Sequence, residues 1–211
     1  MKNILKPQNF HFQELENKYL IDISEGEKIK YCSFENEECN DINLYEIEFE
    51  QCKFSKICMQ KGKLEKLTFK DVIFEQCDFS NTEFVETSFI RCEFNNCKVS
   101  GGNFAESRLY NIAFIETNAS YMNLSMASIE NILFKDTVLK NSYFQETKIK
   151  NVYFDNADLT QSNFFKTSLK GADLSNSKID GIAISIEDIK GATINQFQAI
   201  DLLYLIGVKL K

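Results

Sequence analysis

Between residues 110 and 154 the sequence reads YNIAF-IETNA-SYMNL-SMASI-ENILF-KDTVL-KNSYF-QETKI-KNVYF, and every group of five ends in an apolar residue. The same phase extends outward without a break from Phe34 to Ile194. Neither the α-helical period of 3.6 nor the strand period of 2 produces this rhythm. Because so long a rhythm indicates one short backbone unit repeated many times, we interpret residues 31–194 as a solenoid in which neighbouring units bury each other's side chains.

The coil of this solenoid is set by a second period, of twenty residues. Phe recurs at this spacing through most of the repeat, which indicates four five-residue units per turn and a square cross-section. With about 4.8 Å between stacked strands, we expect about eight coils and a rod roughly 40 Å long. The predicted core column consists of Phe34, Phe54, Phe74, Phe94, Phe114, Phe134 and Phe154.

Small or β-branched residues, mainly Ser, Thr, Cys, Ala and Val, stand two places before these apolar centres. The other three positions of each unit carry nearly all the charge. Two inward and three outward residues per unit describe a short extended segment followed by a corner. The predicted fold class is therefore all-β, a quadrilateral β-solenoid.

The two ends of the repeat differ from its body. Residues 1–30 break the rhythm and are predicted to form an N-terminal cap. Residues 195–211 are predicted to contain a short C-terminal α-helix that begins after Asn195 and stops at Gly207. This helix is apolar most of the way round, more than a plug for the coil requires.

We therefore expect a two-fold homodimer joined through the C-terminal helix. The predicted interface residues are Leu202, Leu203, Leu205 and Ile206. The alternating residues 208–211 could add a short exchanged strand.

Composition limits the function classes. The 211 residues carry a net charge of −7, and the acidic excess lies in residues 35–116, where sixteen acidic residues face nine basic ones. This balance argues against direct binding of nucleic acid, which needs a basic surface. Seven cysteines, with neither a secretory signal nor an apolar span, predict a cytoplasmic protein without membrane association.

Catalytic motifs are missing from the sequence. Cys32, Cys52 and Cys92 share one column and Cys77 and Cys97 another, which suits thiols that serve as compact apolar side chains. The single His11 lies in the predicted cap, and there is no phosphate-binding loop. We predict a protein that is not an enzyme, with no catalytic residues, no metal, no cofactor and no small-molecule substrate.

Acidic residues recur at the outward position two places after the centre. Glu46, Glu86, Glu106 and Glu146 occupy it on one face, and Glu116 and Asp136 were assigned to a neighbouring face. Like charges stacked one coil apart repel each other, so such a strip indicates either a binding surface or a merely solvated face.

The units Glu-Gln-Cys-Asp-Phe79, Glu-Thr-Ser-Phe89 and Asn-Ala-Asp-Leu159 resemble the pentapeptide-repeat family, and the resemblance covers residues 30–194. It implies a right-handed quadrilateral β-helix. Within the family, the Phe-rich centres, acidic body and terminal Leu-Leu-Tyr-Leu-Ile-Gly-Val are most similar to the Qnr/MfpA-like topoisomerase-protection proteins. The unbroken phase makes this chain similar to members that lack outward loops.

This resemblance implies a dimeric rod that imitates duplex DNA, binds DNA gyrase or topoisomerase IV, and lowers quinolone susceptibility. The six acidic residues above would then form the gyrase-binding strip. The alternative is a generic interaction scaffold, immunity factor or effector with a partner other than a topoisomerase, since the fold alone supports it equally well.

Overall fold

The computed structural model describes residues 4–8 and 15–208. They form a parallel β-solenoid of about seven turns, which confirms the predicted fold class. Most strands are three or eight residues long, as expected for straight segments between regular corners. The strands are β1 Glu16–Asn17, β2 Lys28–Lys30, β3 Cys32–Glu35, β4 Asn43–Tyr45, β5 Glu48–Glu50, β6 Lys53–Ser55, β7 Lys63–Glu65, β8 Thr68–Lys70, β9 Ile73–Glu75, β10 Ser88–Asn95, β11 Arg108–Ile115, β12 Ser128–Lys135 and β13 Lys148–Asp155.

Adjacent coils pair in parallel with a register of twenty residues. Phe94 in β10 pairs with Phe114 in β11, and Phe114 pairs with Phe134 in β12. The four sides of the coil are named here by their inward centres. Face A carries the column Phe34 to Phe154, face B the column Cys39 to Ile179, face C the column Leu44 to Ile184, and face D the column Ile29 to Leu169.

The core is a stack of aromatic rings along the rod. Phe94 is fully buried between Phe74 and Phe114, with ring centroids 4.5 and 4.7 Å away and rings tilted by 17° and 12°. Burying one such ring contributes about 1.5–3 kcal/mol. Since each ring contacts mainly the coils above and below, stability builds up coil by coil.

The small residues two places before each apolar centre fit the narrow core, and those with a hydroxyl group also form hydrogen bonds there. The Thr117 hydroxyl donates to the backbone carbonyl of Phe94 at 3.0 Å, and Thr137 donates likewise to Phe114 at 3.0 Å. Each therefore ties one coil to the coil before it. A buried hydroxyl needs such an acceptor, and this contact explains why Ser and Thr are frequent there.

Left-handed backbone forms the corners. Every fifth residue from Tyr31 to Lys166 has a positive φ, between 50° and 61° except at Gly101, where φ is 68°. Asn and Gly tolerate this conformation best, and Asn is common at these positions. At Gly101 a Cβ would lie only 2.4 Å from Asn81 Oδ1, so this corner is also closely packed.

At the N-terminal end, β1 pairs with β3, and Leu20 is buried in the core. Leu20 belongs to the 3-10 helix Leu20–Asp22, and its backbone N–H donates to Glu37 Oε2 at 2.9 Å. Residues 15–30 thus cover the first coil. Residues 4–8 lie instead along the side of the rod, and His11 falls outside the described residues.

At the C-terminal end, helices replace the regular units. Helix α1, Ile186–Ile189, begins after Ser185, and helix α2, Gln196–Asp201, begins after Asn195 in a capping box with Gln198. The predicted number of coils, about eight, is close to the observed seven, and α1 and α2 are built onto the last coils.

The predicted C-terminal helix has two parts. After Leu202 the chain tightens into the 3-10 helix Leu203–Ile206, with a hydrogen bond from the Leu205 N–H to the Leu202 carbonyl. Tightening of this kind is common in a final helical turn. Gly207 ends it with φ 71°, as the sequence predicts. Most of the residues of the predicted exchanged strand, 209–211, lie outside the described part of the chain.

Candidate interaction surfaces

The corner between faces C and D carries four of the six predicted strip residues. All four carboxylates are exposed, but two of them are neutralised by the next coil. Lys66 lies 3.5 Å from Glu46 Oε1, and Lys166 lies 3.0 Å from Glu146 Oε1. Within the described residues, Glu86 and Glu106 form no ion pair.

Glu86 and Glu106 are therefore the free carboxylates of this corner. They follow one another in consecutive coils, about 4.8 Å apart along the rod. Both corner residues have left-handed backbone, with φ 56° and 60°. Because their backbones are fixed one coil apart, the two like charges remain neighbours on one edge of the rod.

The other two predicted strip residues lie on the opposite edge of the rod. Glu116 and Asp136 occupy the corner between faces A and B, which is ten residues, or half a turn, away from the corner of Glu106. They stack in consecutive coils too, and Asp136 accepts a hydrogen bond of 2.7 Å from Asn156 Nδ2. The assignment of both to a face neighbouring that of Glu106 was wrong, because half of a twenty-residue coil leads to the diagonally opposite corner.

The structure thus brings the acidic residues together in two short edges. We call Glu86 with Glu106 the first acidic edge, and Glu116 with Asp136 the second acidic edge. Both lie in the middle coils, on opposite sides of the rod. The sequence contains the signal for this arrangement: residues ten positions apart lie half a turn apart, because one coil has twenty residues.

The apolar surface at the C-terminal end differs in composition from the predicted interface. Leu202 and Leu205 pack against the core, and Leu203 is half-buried. Ile206 is 63% exposed. Four further apolar residues of the C-terminal segment, which the sequence analysis did not single out, are also exposed: Phe197, Ile200, Tyr204 and Val208.

A shallow groove adjoins this apolar end. It has a volume of about 780 Å³ and is lined by Phe165, Ile182, Ile184 and Tyr204, among others. Tyr204 is held there by a hydrogen bond from its hydroxyl to the Ile182 carbonyl. A single molecule leaves this apolar surface uncovered.

The cysteines are set into the core. Burial raises the pKa of Cys52 and of Cys92 to about 12, so both thiols stay protonated at neutral pH. Burial raises the pKa of the Cys97 thiol well above its ordinary value, and the Cys77 and Cys97 thiols each donate to a backbone carbonyl of the coil before. Across residues 4–8 and 15–208 no group of three or more His, Cys, Asp or Glu is placed to hold a metal ion.

None of the helices in the described part of the chain has the length and apolar character needed to cross a bilayer.

The five-residue coil unit defines a class of protein. The model of the pentapeptide repeat region matches residues 67–144 and, in an overlapping match, residues 87–164. Residues 67–164 are therefore a pentapeptide repeat region. No curated protein sequence matches the chain significantly.

Several solved structures are similar to this chain. A trypsin-treated variant of QnrB1, a plasmid-mediated fluoroquinolone resistance protein, is 24% identical over 89% of this chain and 91% of its own, with a TM-score of 0.44. Full-length QnrB1 is 21% identical over 92% and 95%, with a TM-score of 0.40. HetL, involved in heterocyst differentiation regulation in the cyanobacterium Nostoc, is 13% identical over 82% and 91%, with a TM-score of 0.35. Likenesses at this level carry no argument about the partner of this chain.

Proposed function

We propose that this pentapeptide-repeat protein binds DNA gyrase or topoisomerase IV by imitating duplex DNA, and thereby inhibits the enzyme or protects it from quinolones. The observation that carries the proposal is the pair of acidic edges on opposite sides of a straight rod. The two sugar–phosphate strands of a duplex likewise present their charge on two sides of one axis. A basic channel that accepts DNA could contact both edges at once.

The charge density of the rod decides how the imitation works. Seven turns at about 4.8 Å give a rod of roughly 34 Å, the length of about ten base pairs. A net charge of −7 over this length is about one charge per 5 Å, against one per ~1.7 Å in DNA. Net charge alone is therefore too small, and locally concentrated carboxylates must supply the attraction.

A homodimer through the C-terminal end is part of the proposal. Phe197, Ile200, Tyr204, Ile206 and Val208 form an exposed apolar surface, which a second copy would cover. An end-to-end dimer doubles the length of rod, and the number of acidic edges, that the topoisomerase can contact. Leu202 and Leu205 then act by packing α2 and the following 3-10 helix against the last coil.

The deciding experiment titrates the purified protein into a gyrase supercoiling assay, with and without a fluoroquinolone. Restored supercoiling in the presence of drug would establish protection, and inhibition without drug would establish competition with DNA. The test variant carries Glu86→Gln, Glu106→Gln, Glu116→Gln and Asp136→Asn, and we expect it to lose at least ten-fold in affinity for gyrase.

The control variant has the same change in charge elsewhere. Glu35→Gln, Glu38→Gln, Asp41→Asn and Glu65→Gln alter four exposed carboxylates in the first coils. We expect this variant to bind gyrase nearly as well as the wild type. Equal weakening of gyrase binding by both variants would show that net charge, and not the acidic edges, drives binding. If the wild type affects neither topoisomerase, a scaffold with another partner would be favoured.

A further inference from the structure

The corner between faces D and A differs from the other three because part of it is covered by the chain's own N-terminal segment. Asp71 is 3% exposed and Asn111 is 1% exposed, although both occupy outward corner positions. The segment that lies against them is residues 4–8, which we call the strap. The corner column itself runs through Gln51, Asp71, Arg91, Asn111, Asn131, Asn151 and Gly171.

The strap is held mainly through its backbone. The Leu5 N–H donates to Asn111 Oδ1 at 3.4 Å, and the Gln8 N–H donates to Asp71 Oδ1 at 3.0 Å. Gln51 Nε2 donates to the Gln8 carbonyl at 3.2 Å. Because the anchors are main-chain groups, they select for an extended backbone rather than for particular side chains.

The spacing of the column matches an extended peptide. Asp71 and Asn111 are two coils apart, about 9.6 Å, and three residues of extended chain, such as Leu5 to Gln8, span about 10 Å. A peptide in the polyproline II conformation, with three residues per turn and about 3.1 Å per residue, turns every third N–H to the same side and so meets every second coil. Asn151, two coils beyond Asn111, continues the series of side-chain acceptors.

The strap leaves the site incompletely satisfied. The Asn111 Nδ2 group is buried and has no hydrogen-bond partner within the described residues. A buried donor without an acceptor is costly. An occupant that offers Asn111 a carbonyl oxygen as well as an N–H would therefore bind better than the strap does.

The column continues past the strap into an open cavity. A cavity of about 280 Å³ lies at Asn151 and Gly171, with Tyr153, Lys150 and Lys170 in its wall. No atom lies within 4 Å of the place that a Cβ of Gly171 would take. The column therefore extends beyond the strap.

The charge beside the strap indicates what kind of peptide fits. Lys6 Nζ lies 4.0 Å from Glu93 Oε1, and Asp71 adds a carboxylate next to it, already paired with Arg91. A basic residue between the two anchored N–H groups is thus favoured. We propose that the corner column from Asp71 to Asn111 is a binding site for an extended basic peptide segment of a partner protein, and that the strap is an internal competitor for it. This inference does not depend on the identity of the topoisomerase partner.

The test uses the full chain and a fluorescein-labelled synthetic peptide with the sequence of residues 2–8, Lys-Asn-Ile-Leu-Lys-Pro-Gln. In the chain itself, Leu5→Pro with Gln8→Pro removes both anchoring N–H groups while the solenoid stays intact. We expect this double variant to bind the peptide at least ten-fold more tightly than the wild type in fluorescence anisotropy. The side-chain amide resonances of Asn111 check that the strap is released, because Asn111 Oδ1 accepts the Leu5 N–H in the wild type, and unchanged resonances in the double variant would overturn the proposal.

Two corner substitutions locate the peptide. Asn111→Gly, added to the double variant, removes the acceptor without backbone strain and should abolish binding. Asn141→Gly is the matched control, since Asn141 has the same left-handed backbone at another corner, with φ 55°. Equal binding to the wild type and the double variant, binding that survives Asn111→Gly, or no binding to any variant would each overturn the proposal.

Discussion

The side chain of Gln198 donates a hydrogen bond of 2.7 Å from Nε2 to the backbone carbonyl of Leu174, and the same nitrogen lies 2.6 Å from the Ser177 carbonyl. Gln198 is buried, and it also completes the capping box of α2. One amide therefore fixes the start of the C-terminal helix and satisfies two carbonyls at the end of the coil stack.

Replacing this amide should loosen the C-terminal end. Gln198→Leu leaves the Ser177 carbonyl without a donor and the Leu174 carbonyl with the Ser177 N–H alone, and we expect a loss of about 1–3 kcal/mol in the free energy of unfolding. Chemical denaturation measures the change. Gln196→Leu, at an exposed position of the same helix, is the control and should change stability by less than about 0.5 kcal/mol.

The ring stack predicts a large cost for a cavity in mid-rod. Phe94→Ala removes a ring that is stacked on both sides, and we expect destabilisation by about 3–5 kcal/mol. Phe165→Ala serves as the comparison, because the Phe165 side chain is half exposed. A melting temperature of Phe94→Ala equal to that of the wild type would contradict the stack.

The left-handed corners predict a stabilising substitution. Met126 has φ 59° and is exposed, so its side chain gains little from packing while its backbone is strained. Met126→Gly should stabilise the protein by about 1 kcal/mol, since the left-handed conformation costs an ordinary residue roughly 1–2 kcal/mol. Met126→Ala tests the cause: it removes the same side chain but keeps the strain, and it should give no gain.

Acid should weaken the rod through Glu50. Hydrogen bonds from Lys30 and Lys70 lower the pKa of the Glu50 carboxyl to about 2. Between about pH 4.3 and pH 2 the unfolded chain binds a proton that the folded chain does not, so the stability from this network is lost as the pH falls through that range. Glu50→Gln should flatten the pH dependence of the melting temperature there. Glu65→Gln, an exposed carboxylate with no ion pair among the described residues, should leave the pH dependence unchanged.

The opposite sign is expected for Glu37 at the N-terminal end. Burial raises the pKa of this carboxyl, and its Oε1 atom has no hydrogen-bond partner within the described residues. Above about pH 4.3 the unfolded chain loses its proton first, so the free energy of unfolding falls as the pH rises toward the folded pKa. Glu37→Gln should remove this fall in the free energy of unfolding with rising pH. An unchanged pH dependence of the variant would contradict this account, and the exposed Glu38→Gln is its control.

Much of the fold could be predicted from the sequence, because each coil repeats the same pattern of five-residue units. The Phe column, the twenty-residue register and the inward small residues all follow from periodicity, and the structure confirms them. The left-handed corners could have been predicted as well, since Asn, Asp and Gly recur two places after the centres, as at Asn96 and Gly101.

Parts of the surface were harder to predict, because they depend on contacts between the repeat body and the two ends of the chain. Glu116 lies half a turn from Glu106 and Lys66 one turn from Glu46, so these two relations do follow from the twenty-residue period. The exposure of Phe197 depends on which side of α2 faces the last coil, and that side is set by the buried Gln198. Strap docking joins Leu5 to Asn111 across 106 residues, with no periodic signal.

The twenty-residue register also fixes what kinds of length change this protein can absorb. Duplicating any twenty consecutive residues of the body lengthens the rod by one rung, about 4.8 Å, and leaves every downstream side chain above the same neighbour. An insertion of five residues rotates everything downstream by a quarter turn, and it carries one acidic edge out of line with the other. Insertions and deletions of twenty residues should therefore be tolerated better than those of other lengths. Rods of different lengths could arise by duplication of whole coils alone.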